Sequence, residues 1–186
     1  MKIGITGSLS SGKSSVAKML SKNNNILFSA DKIVQDLYKK KSFKIFLSRK
    51  LNIPTHMLRK EIKVRLLKKK LSLKTLGRII HPIVRKKMKI FYKKNVKRKI
   101  LFFEIPLLVE SKLINFFDYI ILVAAPKKER LRRYLKKGGD KKMFKLLDSS
   151  QIPVTKKVKY CDYLIVNNKS KNFLKQKVND IIHYND

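Results

Sequence analysis

Gly7, Ser8, Leu9, Ser10, Ser11, Gly12, Lys13 and Ser14 stand in the spacing GxxxxGK[ST], with Ser15 directly behind them. Two glycines so placed let a backbone curl until its N–H groups converge on one anion, and the lysine adds a positive charge on a long stem. The chemistry implied is capture of a nucleoside triphosphate. Main-chain amides and the helix N-terminus surround the phosphates, Lys13 reaches the β- and γ-phosphates, and the Ser14 hydroxyl is offered to a bridging magnesium ion. The plainer reading, a Gly-Ser turn that happens to precede a lysine, loses force if a strand enters the loop and a helix leaves it. Both are expected: residues 2–6 form a short strand-like run, and Val16, Ala17, Met19 and Leu20 have helical spacing from Lys13 onward.

The loop by itself does not separate kinases from GTPases or motor ATPases. A guanine-reading Asn-Lys-x-Asp would need an aspartate after Asn168-Lys169-Ser170, where Lys171 stands instead. A second chemical candidate is Asp31, placed just after a strand-like run at 26–28. A carboxylate there would face the crevice where open α/β sheets bind ligands, although aspartate is also a good helix N-cap.

Around these residues the chain alternates strand and helix signals. Ser29 or Asp31 is expected to cap a helix running through Ile33, Val34 and Leu37. From there to about 95 the pattern is helical and lysine-rich, with breaks at 52–55 and at His81-Pro82. Runs at 100–103 and 119–124 are continuously apolar, as buried parallel strands are. A basic helix at 127–137 ends at Gly138-Gly139, a last strand falls at 163–166, and a closing helix at 172–184 carries Phe173, Leu174, Val178, Ile181 and Ile182 on its apolar side. This order implies an α/β fold with a five-stranded parallel sheet flanked by helices.

Composition narrows the class. The 186 residues suit one domain, and 44% hydrophobic content spread along the chain excludes the low-hydrophobicity signature of disorder. No apolar run approaches the ~20 residues of a membrane-spanning helix, and the N-terminus reaches glycines and serines before any signal-like segment. One cysteine, Cys161, allows neither an internal disulfide nor a cysteine-based metal site, so a cytoplasmic location is expected. The net charge of +35 invites a nucleic-acid partner. However, the lysines are scattered and accompanied by abundant Asn and Ile, a pattern that reads as compositional drift. Nucleic acid is therefore not expected as the partner.

Four further segments, in order along nearly the whole chain, resemble the dephospho-CoA kinases. Ser29-Ala30-Asp31-Lys32-Ile33-Val34 is similar to that family's Asp-Ala-Asp-x-Ile-Ala, and Ile80-His81-Pro82-Ile83-Val84, in the segment 76–84, to its His-Pro element. Glu104-Ile105-Pro106-Leu107-Leu108-Val109-Glu110 is similar to Asp-x-Pro-Leu-Leu-Phe-Glu, and the segment 130–168 carries Gln151, Asp162 and Asn168 at family-like spacing.

The resemblance implies a P-loop NTPase fold and an ATP- and Mg²⁺-dependent transfer of phosphate to the ribose 3′-hydroxyl of dephospho-CoA. It casts Asp31 as the base and Arg133 as a lid arginine over the phosphates. His81 and Arg59 would lie on the acceptor side, with Leu107 as a further candidate there and Glu104 near the metal or the acceptor. Their plainer readings are a helix break at His81, a solvated face for Arg59 and its neighbour Arg65, and strand-exit packing at Leu107. The expected organisation is one domain: a core of 1–31, 96–125 and 161–186, a helical acceptor lobe at 32–95 and a lid at 126–160. The assembly is expected to be a monomer or a weak homo-oligomer.

Three departures bear on acceptor affinity and the lid. Ser29 replaces the first Asp of its element, Gly77 stands where Glu is usual, and Lys137 where Arg is usual. An ammonium cannot reproduce the planar fork of a guanidinium. Two alternatives stay open. A nucleoside or nucleotide kinase of similar fold would phosphorylate other small acceptors, and a nucleic-acid-binding ATPase would bind polynucleotide with a steep salt dependence.

Overall fold

β1 (Lys2–Gly7) lies at the centre of a five-stranded parallel sheet whose order is β2-β3-β1-β4-β5. The others are β2 (Ile26–Ser29), β3 (Leu101–Glu104), β4 (Tyr119–Ala124) and β5 (Tyr163–Val166). This is a computed structural model describing residues 1–21 and 26–183, with side chains described only to Ile181. The helices are α1 (Lys13–Leu20), α2 (Ala30–Lys39), α3 (Lys41–Leu51), α4 (Leu58–Leu67), α5 (Leu73–Lys94), α6 (Lys127–Lys136), α7 (Lys141–Ser149), α8 (Val154–Lys157) and α9 (Lys171–His183). Of the expected closing helix, Tyr184 and the side chain of Ile182 lie outside the described residues, as do 22–25 and 184–186 of the expected core.

Two units can be distinguished, Met1–Ser29 with Asn95–Asp186, and Ala30–Lys94. In the first, β1 is buried along nearly all its length because helices α1 and α9 cover one face of the sheet's centre and the segment after β3, with Leu108 and Phe117, covers the other. On one face, Ile3, Ile5, Phe102 and Val123 meet Val16 and Leu20 of α1 and Leu174 and Val178 of α9. On the other, Gly4 makes room for packing: a Cβ there would lie 2.7 Å from Leu108 and 3.0 Å from the Phe117 ring. Phe103 stacks edge-on against Phe116 and Phe117 beside it. The register pairs Ile5 and Ser29 with Glu104, and Gly7 with Val123, so the strands' C-terminal ends form one rim.

At the end of α6, Gly138 takes φ +77°. The Gly138 and Gly139 N–H groups donate back to the carbonyls of Leu135 and Tyr134, closing the helix as its two glycines predict.

The second unit is α2 to α5. α3 ends where Asn52 adopts a left-handed φ of 49°. Arg65, read from sequence as an acceptor-side or solvated residue, donates to the carbonyls of Leu51 and Asn52 at 3.0 and 3.2 Å and to Glu61 at 2.9 Å. It satisfies the orphan carbonyls at the end of α3.

Two local expectations are corrected. α5 runs unbroken through His81-Pro82, with Pro82 inside it. A proline there removes one backbone bond and costs about 3 kcal/mol, but tertiary packing of the amphipathic face, here Ile80 and Met88, supplies most helical stability and outweighs it. α2 begins at Ala30 directly after β2, so Ser29 both ends the strand and stands at the N-cap position, while Asp31, the other candidate, sits within the first turn instead of capping it. Among the described residues, no helix is long and apolar enough to cross a membrane.

Candidate active site

β1 delivers the loop to the rim and α1 leaves it at Lys13. Gly7 has φ +148°, and a Cβ on it would lie 2.1 Å from the Val123 carbonyl oxygen. Gly12 has φ +106°, and its Cβ would meet Asn167 Nδ2 at 2.1 Å. Both positions exclude a side chain by conformation and by space. Ser10 between them is also left-handed, with φ 57°. The result is a tight loop leading into a helix N-terminus, the form that cradles phosphate. Lys13 is buried, and its ammonium donates to the Ser8 carbonyl at 2.8 Å, so it lies folded across the loop.

Ser14, the residue after Lys13, donates from Oγ to Glu104 Oε1 at 2.5 Å. Ser29 donates from Oγ to the other oxygen, Oε2, at 2.8 Å. Glu104 is only 3% exposed, so a carboxylate at the end of β3 is held under the loop by one hydroxyl from α1 and one from β2. These hard oxygen donors suit magnesium, which takes one or two protein ligands and completes its shell with phosphate oxygens and water. Among the described residues no group of three His, Cys, Asp or Glu that could hold a metal ion comes together.

From behind, three segments grip the loop. Arg133 on α6 donates to the carbonyls of Ser11 and Asn167 at 3.2 and 3.0 Å. Asn167, just past β5, donates from Nδ2 to the same Ser11 carbonyl at 2.8 Å. Gln151 accepts from the Leu9 N–H at 3.0 Å, while Arg130 reaches the Leu9 carbonyl at 3.4 Å and is paired with Asp148. Sequence reasoning noted Asn168 but not Asn167, and gave Arg130 and Asp148 no role. The available signal for Asn167 was its position at the carboxyl end of a parallel strand.

Other singled-out residues have structural employment. Glu110 accepts from the Ile152 N–H at 3.0 Å and lies 2.7 Å from the fully buried Lys157 ammonium, a charge contact more than an aligned hydrogen bond. Asp162 accepts from the Ile120 N–H at 2.7 Å and so ties the start of β5 to β4. Leu107 lies half-buried in the turn after β3, its carbonyl accepting from Ser111 N–H at 2.9 Å.

Asp31, Arg59 and His81 belong to the second unit. Asp31 is exposed on the first turn of α2. Arg59 places its guanidinium 5.2 Å from the centre of the Tyr38 ring. Burial raises the Tyr38 pKa, and the Arg59 charge opposes that rise. His81 is half-buried one turn after Gly77; a Cβ on Gly77 would be 3.1 Å from the imidazole Cε1. Burial lowers the His81 pKa, and Arg85 lowers it further.

Three comparisons bear on this geometry. A family model described as dephospho-CoA kinase matches residues 1–172. A protein of Fusobacterium nucleatum named dephospho-CoA kinase is 32% identical over 187 residues, covering 96% of this chain and 95% of that one. Among solved structures, TT1252 from Thermus thermophilus superimposes with a TM-score of 0.77 at 26% identity, over 99% of this chain and 97% of that one. A dephospho-CoA kinase from Campylobacter jejuni shares the fold with a TM-score of 0.58 at 22% identity, over 98% and 96% of the two chains.

Proposed function

The chain belongs to the dephospho-CoA kinase family, and from that premise we propose how its residues divide the transfer of phosphate from ATP to dephospho-CoA, giving CoA and ADP. The observation that carries the reading is the loop from Gly7 to Ser14, with a buried lysine across it and the Ser14 hydroxyl seated on Glu104.

The main-chain amides of the loop and the α1 N-terminus hold the β- and γ-phosphates, and Lys13 exchanges the Ser8 carbonyl for phosphate oxygens. Magnesium, when bound, neutralises charge on those oxygens. Ser14 would be its protein ligand, and because the Ser14 hydroxyl donates its hydrogen bond to Glu104 Oε1, an oxygen lone pair is left to face the cation. The ribose 3′-oxygen attacks the γ-phosphorus in line, the bond to the β–γ bridging oxygen breaks, and ADP leaves with its electron pair. Asp31 accepts the hydroxyl proton. Its support is its place in the chain, two residues past the end of β2, together with its exposure.

Residues 32–95 form the acceptor lobe in this reading, with Arg59, His81 and Leu107 facing the acceptor, and 126–160 form a lid that excludes water. Arg133, already directed at the loop, steadies the segment that carries the phosphate amides and contributes a guanidinium charge near them. The protein works in the cytoplasm as a monomer or weak homo-oligomer, in keeping with its single cysteine.

The test is an ADP-release assay with ATP and a panel of acceptors: dephospho-CoA, adenosine, AMP and shikimate. Turnover on dephospho-CoA, with phosphate located on the 3′-oxygen by NMR, supports the reading. Turnover confined to a nucleoside or nucleotide overturns it.

A further inference from the structure

Two changes from the pattern that this chain resembles meet at one carboxylate. Ser29 stands where that pattern has an aspartate, and Glu104, one methylene longer, stands where it has another. Ser29 Oγ donates to Glu104 Oε2 at 2.8 Å while Ser14 Oγ donates to Oε1 at 2.5 Å. The register of β2 on β3 sets Ser29 directly beside Glu104, so the contact is built into the strand pairing.

We propose that Ser29 is a positioning residue for the nucleotide's divalent cation: its hydroxyl pins the longer Glu104 carboxylate so that the opposite oxygen holds the Ser14 proton.

This rests on the reading that Ser14 and Glu104 serve that cation. A glutamate has one more rotatable bond than an aspartate, so one more torsion must be fixed to hold its carboxylate in a single plane. A neutral donor on Oε2 fixes its plane without a second negative charge. An aspartate at 29 would set two carboxylates within hydrogen-bond distance of each other, which disfavours the charged form of both. The serine and the longer acid are thus two halves of one arrangement. Residues that orient a metal's ligands through a hydrogen bond are worth about 10- to 100-fold in metal affinity.

The experiment is a double-mutant cycle of Ser29→Ala and Glu104→Asp. It is read as the binding of manganese with ADP, from loss of the free-ion paramagnetic resonance signal, and as the magnesium concentration that gives half-maximal turnover. Ser29→Ala is expected to weaken manganese·ADP binding about tenfold, with a smaller loss in turnover at saturating magnesium, and Ser29→Thr is expected to restore binding. In the Glu104→Asp background, where the shorter acid no longer spans both hydroxyls, Ser29→Ala is expected to cost little more.

Equal losses from Ser29→Ala in both backgrounds would overturn the proposal, because the serine would then act independently of Glu104. Unchanged metal affinity in Ser29→Ala would overturn it too. Should that variant fail to fold, Ser29→Cys, with its weaker donor, replaces it in the cycle under the same criteria. The underlying reading fails separately if Glu104→Gln binds manganese·ADP as tightly as the parent chain.

Discussion

A Cβ built on Gly12 would lie 2.1 Å from Nδ2 of Asn167, an atom that itself donates to the Ser11 carbonyl at 2.8 Å. The glycine and the asparagine are therefore fitted to each other across 155 residues of chain, and a side chain at 12 would meet both a steric wall and a φ of +106°. Gly12→Ala is expected to weaken ATP binding by at least about tenfold, since a forced backbone of this kind costs about 1–3 kcal/mol before any clash. Isothermal titration with ATP measures it. Adding Asn167→Ala should recover only the steric share and leave the backbone strain in place.

Lys13 and Asp31 should separate by kinetics. Lys13→Ala removes the ammonium that the proposed function assigns to the phosphates, and both ATP affinity and turnover are expected to fall, turnover by about 100-fold or more. Asp31→Asn should leave ATP affinity near its original value and lower turnover on dephospho-CoA by about 100- to 10,000-fold, the usual contribution of a general base. Near-normal turnover in Asp31→Asn would assign the proton to another group.

Arg133 spends two nitrogens on two main-chain carbonyls, at 3.2 and 3.0 Å. Lysine keeps the charge but cannot reach both in one plane. Arg133→Lys is therefore expected to loosen the loop and weaken ATP binding about tenfold, the scale of one charge-assisted hydrogen bond. Full affinity in that variant would show that charge alone is what the position supplies.

Cys161 should be a poor nucleophile. Burial first, and then the Asp162 charge, push its pKa up to about 11, with Lys157 opposing them only in part. The thiolate is the reactive form, so at pH 8 iodoacetamide should label it roughly two orders of magnitude more slowly than an unperturbed thiol. The rate should climb as pH rises toward 11. Rapid labelling at neutral pH would mean that the segment around α8 opens readily.

Much of this molecule can be read in contiguous runs of residues. The strand, loop and helix at 2–20, the apolar runs of β3 and β4 and the glycine stop after α6 are local patterns, in which each residue's conformational preference or burial is declared by its near neighbours. His81-Pro82 shows where that logic ends. Proline's local penalty argued for a break, but packing along the amphipathic face of α5 carries the helix through.

What surrounds the loop was decided only by tertiary structure. The partners of its residues arrive from far along the chain: Glu104 to Ser14 across 90 residues, Gln151 to Leu9 across 142, and Asn167 to Ser11 across 156. No periodicity encodes such a pairing. The sequence alone established an anion-binding loop on a parallel α/β frame, because backbone conformation follows from adjacent residue types. Which carboxylate the loop serine rests on, and which side chains brace it from behind, followed from strand order and register, because those place the distant rim residues within hydrogen-bonding reach.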